Sequence, residues 1–345
     1  MNPPRSSPGG IGAPPVRVVQ MGVGAIGREV CRLVIERLSL HLVGAIDTNP
    51  EIVGHPLSEV LGLKEDCGVV VSADVEAVLE ATAPEVVVHT TTSRLPDVVQ
   101  QIELAARSGA NVVSSTEELL FPRLNRPVEA AKLELVALDN KVAILGTGVN
   151  PGFVLDTLAV AATAVSRRVE RIEGWRVVDA STRRQPLQRK VGAGLSVAEF
   201  NELLAQGKMG HVGLTESVAL IACGMGWRCQ SIEQKTEPAV AEREVRSEFF
   251  HVMPGQVAGV RNTAWAIVEG RERIRLTLEM YLGAPEPHDE IQIHGEPNLT
   301  LQIPGGTPGD LATAAILVNA IPAINDAPPG LLTMLDIPIL RCRAC

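Results

Sequence analysis

The stretch VVQMGVGAIGREVC, residues 18–31, joins an apolar run of strand length to a helical pattern through Gly22, Gly24 and Gly27. On its N-terminal side VRVVQM (16–21) reads as a buried strand. On its C-terminal side REVCRLVIERL sets Val30, Leu33, Val34 and Leu38 at helical spacing. The alternation continues to about residue 145. Strands are expected at LHLVGAID (40–47), GVVVS (68–72), PEVVVHTTT (84–92), NVVSS (111–115) and VAIL (142–145). Helical patterns stand between them at DVEAVLEAT, at LPDVVQQIELAARSGA and over residues 126–139. Such alternation implies parallel strands with crossover helices on both faces, which is a doubly wound α/β domain of the Rossmann kind.

Past GTGVNPGF (146–153) and one helical segment, TLAVAATAV, the texture changes. RIEGWRVVDAS, SEFFHVM, NTAWAIVEG, RIRLTLEMYLG, DEIQIHG and NLTLQIPGG are strand-like runs separated by turn residues. Helical SVAEFNELLAQG and TESVALIACGMG interrupt them. These segments imply a second, α+β domain with a mostly antiparallel sheet. The Ala-rich PGDLATAAILVNAIPAI (308–324) is expected to be a helix that returns to the first domain. The expected division is therefore a disordered Pro/Gly/Ser tail (1–15), a dinucleotide-binding domain (16–150), a substrate and dimerisation domain (151–307) and a C-terminal return (308–345).

The 345 residues suffice for two cores, and 46% hydrophobic with 21% charged residues is a globular balance. No apolar run approaches the ~18–20 residues a membrane span needs. The first fifteen residues have no apolar core of a secretory signal. A net charge of −9 with scattered basic residues argues against a nucleic-acid partner. Cys342 and Cys345 form the only CxxC among six cysteines, with no second pair or nearby histidine to complete a zinc site. Reduced thiols, no metal and a cytoplasmic location are expected.

A glycine triplet alone is weak evidence, but here it follows a strand, opens a helix, and precedes Asp47 by 20 residues counted from Gly27. Gly22 permits the tight turn and Gly24 lets backbone approach a pyrophosphate. Gly27 allows close helix–strand packing. Free N–H groups at the helix start, around Ala25 and Ile26, hold the pyrophosphate. Asp47 is expected to accept the adenosine ribose hydroxyls and to repel a 2′-phosphate; its other reading is a turn cap. Thr48, Asn49, Pro50 and Glu51 offer that phosphate no cation, so NAD is favoured, with NADP the alternative coenzyme.

Ligands in such sheets lie beyond the carboxyl ends of the strands. Three ends qualify: His89–Ser93 with Thr90, Thr91 and Thr92; Ser114–Glu118 with Ser115, Glu117 and Glu118; and the loop Gly146–Gly152 with Asn150. A carboxylate placed there serves as a general base when burial brings its pKa towards the working pH. The competing reading makes Glu117 and Glu118 helix-start acids.

Taken together, QMGVGAIG, VGAIDTNPEIVG, SSTEELLFP, GTGVNPGFVLDTL, GHVGLTES, PGQVAGV and GDLATAAILVNAIPAI resemble the 2,4-diaminopentanoate dehydrogenases and the related native amine dehydrogenases, from about residue 16 to 340. The glycine loop and GVN are more distantly similar to dihydrodipicolinate reductase. The resemblance implies oxidative deamination of an amine or a diamino acid to a ketone and ammonia with hydride passing to a nicotinamide, or the reverse reductive amination. It places a glutamate of the EEL segment, Glu117 or Glu118, beside the substrate nitrogen. Glu117 lies nearer the strand end, and Glu118 then caps or buttresses the helix. Asn150 frames the nicotinamide, and His211 is a weaker substrate candidate.

Thr116 stands where the family has a small residue. The basic run TRRQPLQRK (182–190) reads as a solvated loop, with capture of a substrate carboxylate its other role. Phe153, Trp175, Phe200 and Tyr281 line an apolar pocket or belong to the core. A dihydrodipicolinate reductase-like enzyme is the nearest rival, although its histidine cluster has no counterpart among seven dispersed histidines. A catalytically silent NAD-binding sensor is the other. Long open strands in the second domain suggest a homodimer built through that sheet.

Overall fold

The computed structural model describes residues 14–342. The expected tail lies outside these residues except for its last two, and so does Cys345 of the terminal CxxC. The chain divides into one unit that runs to Val149 and resumes at Gly309, and a second, Asn150–Pro308.

The first unit is built on strands β1 (Val16–Met21), β2 (Leu40–Ile46), β3 (Val71–Ser72), β4 (Val86–His89), β5 (Asn111–Ser114) and β6 (Ala143–Gly146). Its helices are α1 (Ala25–Glu36), α2 (Leu57–Leu61), α3 (Val75–Thr82), α4 (Leu95–Arg107) and α5 (Pro127–Asn140). All strand pairings are parallel, and β1 has β2 on one side and β4 on the other. Chain direction across the sheet therefore reverses at β1, and a cleft opens between the ends of β1 and β4. Val18 and Val19 are both fully buried, as expected of a strand covered on two faces. Leu95, Val98 and Ile102 of α4 and Leu133 of α5 pack with Val19 and Val87 on one face.

A seventh strand, β15 (Gly330–Leu332), pairs in parallel with β6 at the far edge. It was not foreseen, since three residues after a Pro pair carry no periodicity. The C-terminal α10 (Gly309–Asn325) packs on α1 and on β4, β5 and β6, so this unit is closed by residues from both ends of the chain. The small side chains of Ala314 and Ala320 let Leu317, Val318 and Ile321 sit flush, and all five are fully buried. Arg37 Nη2 donates to Asn319 Oδ1 at 2.7 Å across the same contact.

In the second unit, α6 (Thr157–Ala162), α7 (Gln185–Lys190), α8 (Val197–Ala205) and α9 (Leu214–Gly224) accompany a mixed sheet. Its strands are β7 (Arg168–Asp179), β8 (Ser231–Val240), β11 (Val257–Val268), β12 (Arg271–Tyr281), β13 (His288–Glu296) and β14 (Leu299–Pro304). The order is β14-β13-β7-β12-β11-β8, antiparallel except where β7 meets β12. β9 (Val245–Arg246) and β10 (His251–Val252) form a separate ribbon. Helix α9 packs against β8, β11 and β12. Alternate residues Asn262, Ala264, Ala266, Ile274, Leu276 and Leu278 are correspondingly buried.

Three expectations for this unit are corrected. SEFFHVM is a strand only at His251–Val252, because the Ser247 hydroxyl accepts the Phe249 and Phe250 N–H groups and closes a turn. The polar run SIEQKTEPAV, not anticipated as a strand, is edge strand β8. The basic run 182–190 contains helix α7 rather than only loop. Among the described residues no helix is long and apolar enough to cross a membrane.

Candidate active site

The glycine loop has the geometry its sequence asks for. Gly22 adopts φ +91°, and a Cβ there would lie 2.7 Å from the Thr90 carbonyl oxygen. A Cβ on Gly27 would lie 1.9 Å from the Gly22 carbonyl oxygen, so the first turn of α1 rests directly on the loop. Gly24 differs: nothing lies within 4 Å of its missing Cβ, and that open side belongs to the cleft. No side chain caps α1 and no acidic residue stands in its first turn, which leaves its N–H groups and dipole for an anion.

Gly22, Gly24, Asp47, Thr48, Thr90 and Thr91 line this cleft, of about 250 Å³. Ala25 is exposed and Ile26 half-buried at its helical edge. Asp47 Oδ2 accepts the Val23 N–H at 2.6 Å and Oδ1 accepts the Asn49 N–H at 2.8 Å. The carboxylate thus fixes the loop and its own turn, and each oxygen keeps a second lone pair for a ribose hydroxyl. An uncapped helix start, an open glycine and an acid at the end of β2 fit a nicotinamide dinucleotide.

Gln20 was missed by sequence reading, although an amide inside the apolar run VRVVQM was its signal. Its buried Nε2 donates to the Gly22 carbonyl at 2.8 Å and to Thr90 Oγ1 at 2.7 Å. Thr90 Oγ1 in turn donates to the Gly22 carbonyl at 2.8 Å. The Thr90 hydroxyl therefore braces the loop.

The ends of β4 and β5 are laced together. Thr116 Oγ1 donates to the Thr92 carbonyl at 2.8 Å, the Ser115 N–H to the His89 carbonyl at 3.0 Å, and the Glu118 N–H to the Ser93 carbonyl at 3.2 Å. Glu117–Leu119 then makes one tight helical turn. Its two carboxylates differ. Glu118 is buried, and its Oε2 accepts the Leu95 N–H at the start of α4 at 2.8 Å. Arg126 grips both its oxygens, Nε to Oε2 at 3.0 Å and Nη2 to Oε1 at 2.9 Å. Glu118 is a helix cap and ion-pair partner. Glu117 is half-buried at the carboxyl end of the strand.

In the second unit, buried Asp156 organises the turn that carries Asn150 and Phe153. Its carboxylate accepts the Gly152 N–H at 2.8 Å, the Thr157 N–H at 2.5 Å and the Ser217 hydroxyl of α9 at 2.6 Å. Burial nevertheless pushes its pKa above the usual carboxylate range. The sequence signal for this residue was an acid immediately before a helical pattern. Asn150 Oδ1 and His211 Nδ1 are buried without a hydrogen-bond partner. Buried polar atoms left without a partner in this way are costly unless a ligand or water completes them. Phe200 is a core residue instead of a pocket wall, fully buried with Val191, Val252 and Val257. Trp175 lies on the sheet face opposite buried Arg176.

His89 and His211 are held neutral. Burial pushes the pKa of His89 down to about 4. Burial, followed by the charges of Lys190 and Arg176, pushes that of His211 down to about 3. A depressed folded pKa contributes stability that is whole above the unfolded value near 6.5 and is lost as pH falls through the folded one. For His89 the full effect is about 3 kcal/mol. Urea midpoints should therefore fall between pH 6.5 and 4, with a smaller fall in His89→Gln. Identical pH slopes in the two proteins would contradict this assignment.

Fold and cleft define a nicotinamide-dependent oxidoreductase. A family model described as 2,4-diaminopentanoate dehydrogenase C-terminal domain matches residues 153–344, and the dihydrodipicolinate reductase N-terminus model matches 16–121. The chain is similar to 2,4-diaminopentanoate dehydrogenase of Acetoanaerobium sticklandii, 30% identical over 94% of both chains. It is also similar to an amine dehydrogenase of Streptomyces virginiae, 26% identical over 94% of this chain and 96% of the other. A solved amine dehydrogenase from Mycobacterium smegmatis superposes with TM-score 0.85 at 29% identity, covering 95% of this chain and 97% of that one. The chain belongs to the 2,4-diaminopentanoate dehydrogenase family, whose named members act on CH–NH2 groups.

Proposed function

We propose that this protein oxidises a small primary amine or diamino acid to a ketone with release of ammonia, using NAD, or runs the reverse reductive amination. The observation that carries the reading is the position of the EEL turn, which starts just beyond the carboxyl end of β5. Glu118 is committed to Arg126 and the start of α4, while half-buried Glu117 stands at the strand end that faces ligands in this fold.

A bound nicotinamide supplies the hydride acceptor. Glu117 takes a proton from the substrate ammonium, which frees the nitrogen lone pair needed to expel hydride from the neighbouring carbon. Once that proton has passed to solvent, the restored negative charge of the carboxylate stabilises the iminium. The same carboxylate removes a proton from water as oxygen adds to the iminium carbon and returns it to nitrogen; ammonia then leaves as the remaining hydroxyl proton is lost to solvent, giving the ketone. In the second unit Asn150 keeps a buried Oδ1 without a hydrogen-bond partner, an acceptor for an amide N–H. Screening amines and ketones with both nicotinamides tests the reading; no amine-dependent coenzyme reduction would refute it.

Asp47 supports NAD over NADP, because its carboxylate, fixed at the end of β2 by two backbone N–H groups, repels a 2′-phosphate and accepts ribose hydroxyls. In Asp47→Ser, kcat/KM with NAD should fall about tenfold or more, and the NADP/NAD ratio should rise, as one lost charge-assisted contact implies. A wild-type preference for NADP would overturn the assignment.

The homodimer reading rests on the open face of the second sheet. Half-buried Trp175 and Trp265 lie there among paired charges: Arg275 stacks 5.5 Å over Trp265, and Arg171 bridges Glu173 and Glu272. Light scattering should return about twice the 36.7 kDa chain mass; a monomer mass would remove this reading. The unbridged thiols of Cys31, Cys67, Cys223 and Cys229 favour a cytoplasmic enzyme.

A further inference from the structure

His89 ends β4 directly opposite Ser114, the last residue of β5. Its imidazole is 1% exposed and both ring nitrogens are bonded. Nδ1 lies 2.9 Å from Ser114 Oγ, and Nε2 lies 2.9 Å from both Gln101 Oε1 on α4 and Thr91 Oγ1. The protons can be placed by elimination. Gln101 Oε1 only accepts, and it also receives the Thr91 hydroxyl at 3.0 Å. Nε2 therefore carries the proton, and Nδ1 accepts from the Ser114 hydroxyl. Ser114 Oγ in turn accepts the Thr116 N–H at 3.1 Å, one residue before Glu117.

The result is one directional chain. It runs from the Thr116 N–H through the Ser114 hydroxyl and the imidazole to Gln101. Its far end belongs to the coenzyme cleft, because Thr91 and Gln101 both line it. Its near end fixes the backbone from which the Glu117 turn departs. A purely apolar residue would fill the same volume more cheaply than a buried imidazole with its polar partners. What the imidazole adds is two fixed bonds in opposite directions.

We propose that His89 is a positioning residue that locks the Glu117 turn to the wall of the dinucleotide cleft. The inference rests on the functional reading above for the role of Glu117, and on geometry alone for the linkage. It predicts that the two ends can be cut separately. His89→Asn keeps an acceptor near Ser114 but falls short of Gln101. His89→Gln reaches Gln101 but leaves the Ser114 hydroxyl unpaired. Ser114→Ala cuts the turn end while keeping the histidine.

The test combines amide hydrogen exchange of coenzyme-free protein, NADH titration and steady-state kinetics. In His89→Gln and Ser114→Ala, exchange at residues 116–118 should accelerate and kcat should fall about 10- to 100-fold, the cost of a misplaced catalytic group. Their Kd for NADH should stay within about twofold. In His89→Asn the turn should exchange as in wild type while the Kd for NADH rises about tenfold, one hydrogen bond's worth. Unchanged exchange in Ser114→Ala, or all three variants losing affinity and kcat together in step with lost folded protein, would overturn the proposal. If a histidine variant does not fold, Ser114→Ala, which removes a single oxygen, carries the test. If wild type oxidises no amine, or Glu117→Gln keeps its rate, the functional reading fails; exchange and titration still decide the linkage.

Discussion

Glu117→Gln should lower kcat for amine oxidation about a thousandfold, within the range a lost general base costs, while the Kd for NADH and the thermal midpoint stay near wild type. The amide keeps the volume and the turn but cannot take a proton from the ammonium or balance the iminium charge. The neighbouring change should behave in the opposite way. Glu118→Gln leaves Arg126 facing a neutral amide, and breaking a largely buried pair costs about 3–5 kcal/mol. Its side chain is only 10% exposed, so little solvent screening softens that loss. Melting and stopped-flow turnover on the same preparations separate the two effects. A Glu117→Gln enzyme of undiminished rate, beside a Glu118→Gln enzyme that is stable and inactive, would exchange the two roles.

Gly27→Ala should destroy the first unit's order. Alanine is the better helix former by about 1 kcal/mol, but here its Cβ would overlap the Gly22 carbonyl at 1.9 Å, and no flexible side chain is available to yield. Soluble yield should collapse, or the thermal midpoint fall by more than about 10 °C, as several kcal/mol of lost stability implies. Gly24→Ala is the control. With nothing within 4 Å of the new methyl and an extended backbone that alanine tolerates, it should melt like wild type. The methyl occupies the side of the loop that a pyrophosphate approaches, so the Kd for NADH should rise about 10- to 100-fold, one or two lost backbone contacts. Equal affinity in Gly24→Ala and wild type would mean that the loop is a structural turn.

Much of this arrangement is legible in the sequence because it is local. Six apolar runs of strand length separated by helical patterns can hardly be arranged other than as a doubly wound sheet, and glycines at 22, 24 and 27 have distinct steric duties. Strand β8 was hidden because it is an edge: exposed on much of both sides, SIEQKTEPAV carries charges and a proline and loses the apolar alternation. Strand β15 and helix α7 are too short for a period to emerge. The site was legible as a segment and not as roles. Glu117 and Glu118 are equivalent by composition, and no spacing rule announces that Arg126 and the α4 N-terminus close on Glu118. Asp156 with Ser217, and His89 with Gln101, join positions 61 and 12 residues apart, which no spacing rule connects.

The central claim is that hydride leaves the carbon bearing the amine. An amine carrying deuterium at that carbon should deliver the label to C4 of the nicotinamide, with ketone and ammonia released in equal amounts. Label retained in the organic product, or reduced coenzyme formed without ammonia, would contradict the account.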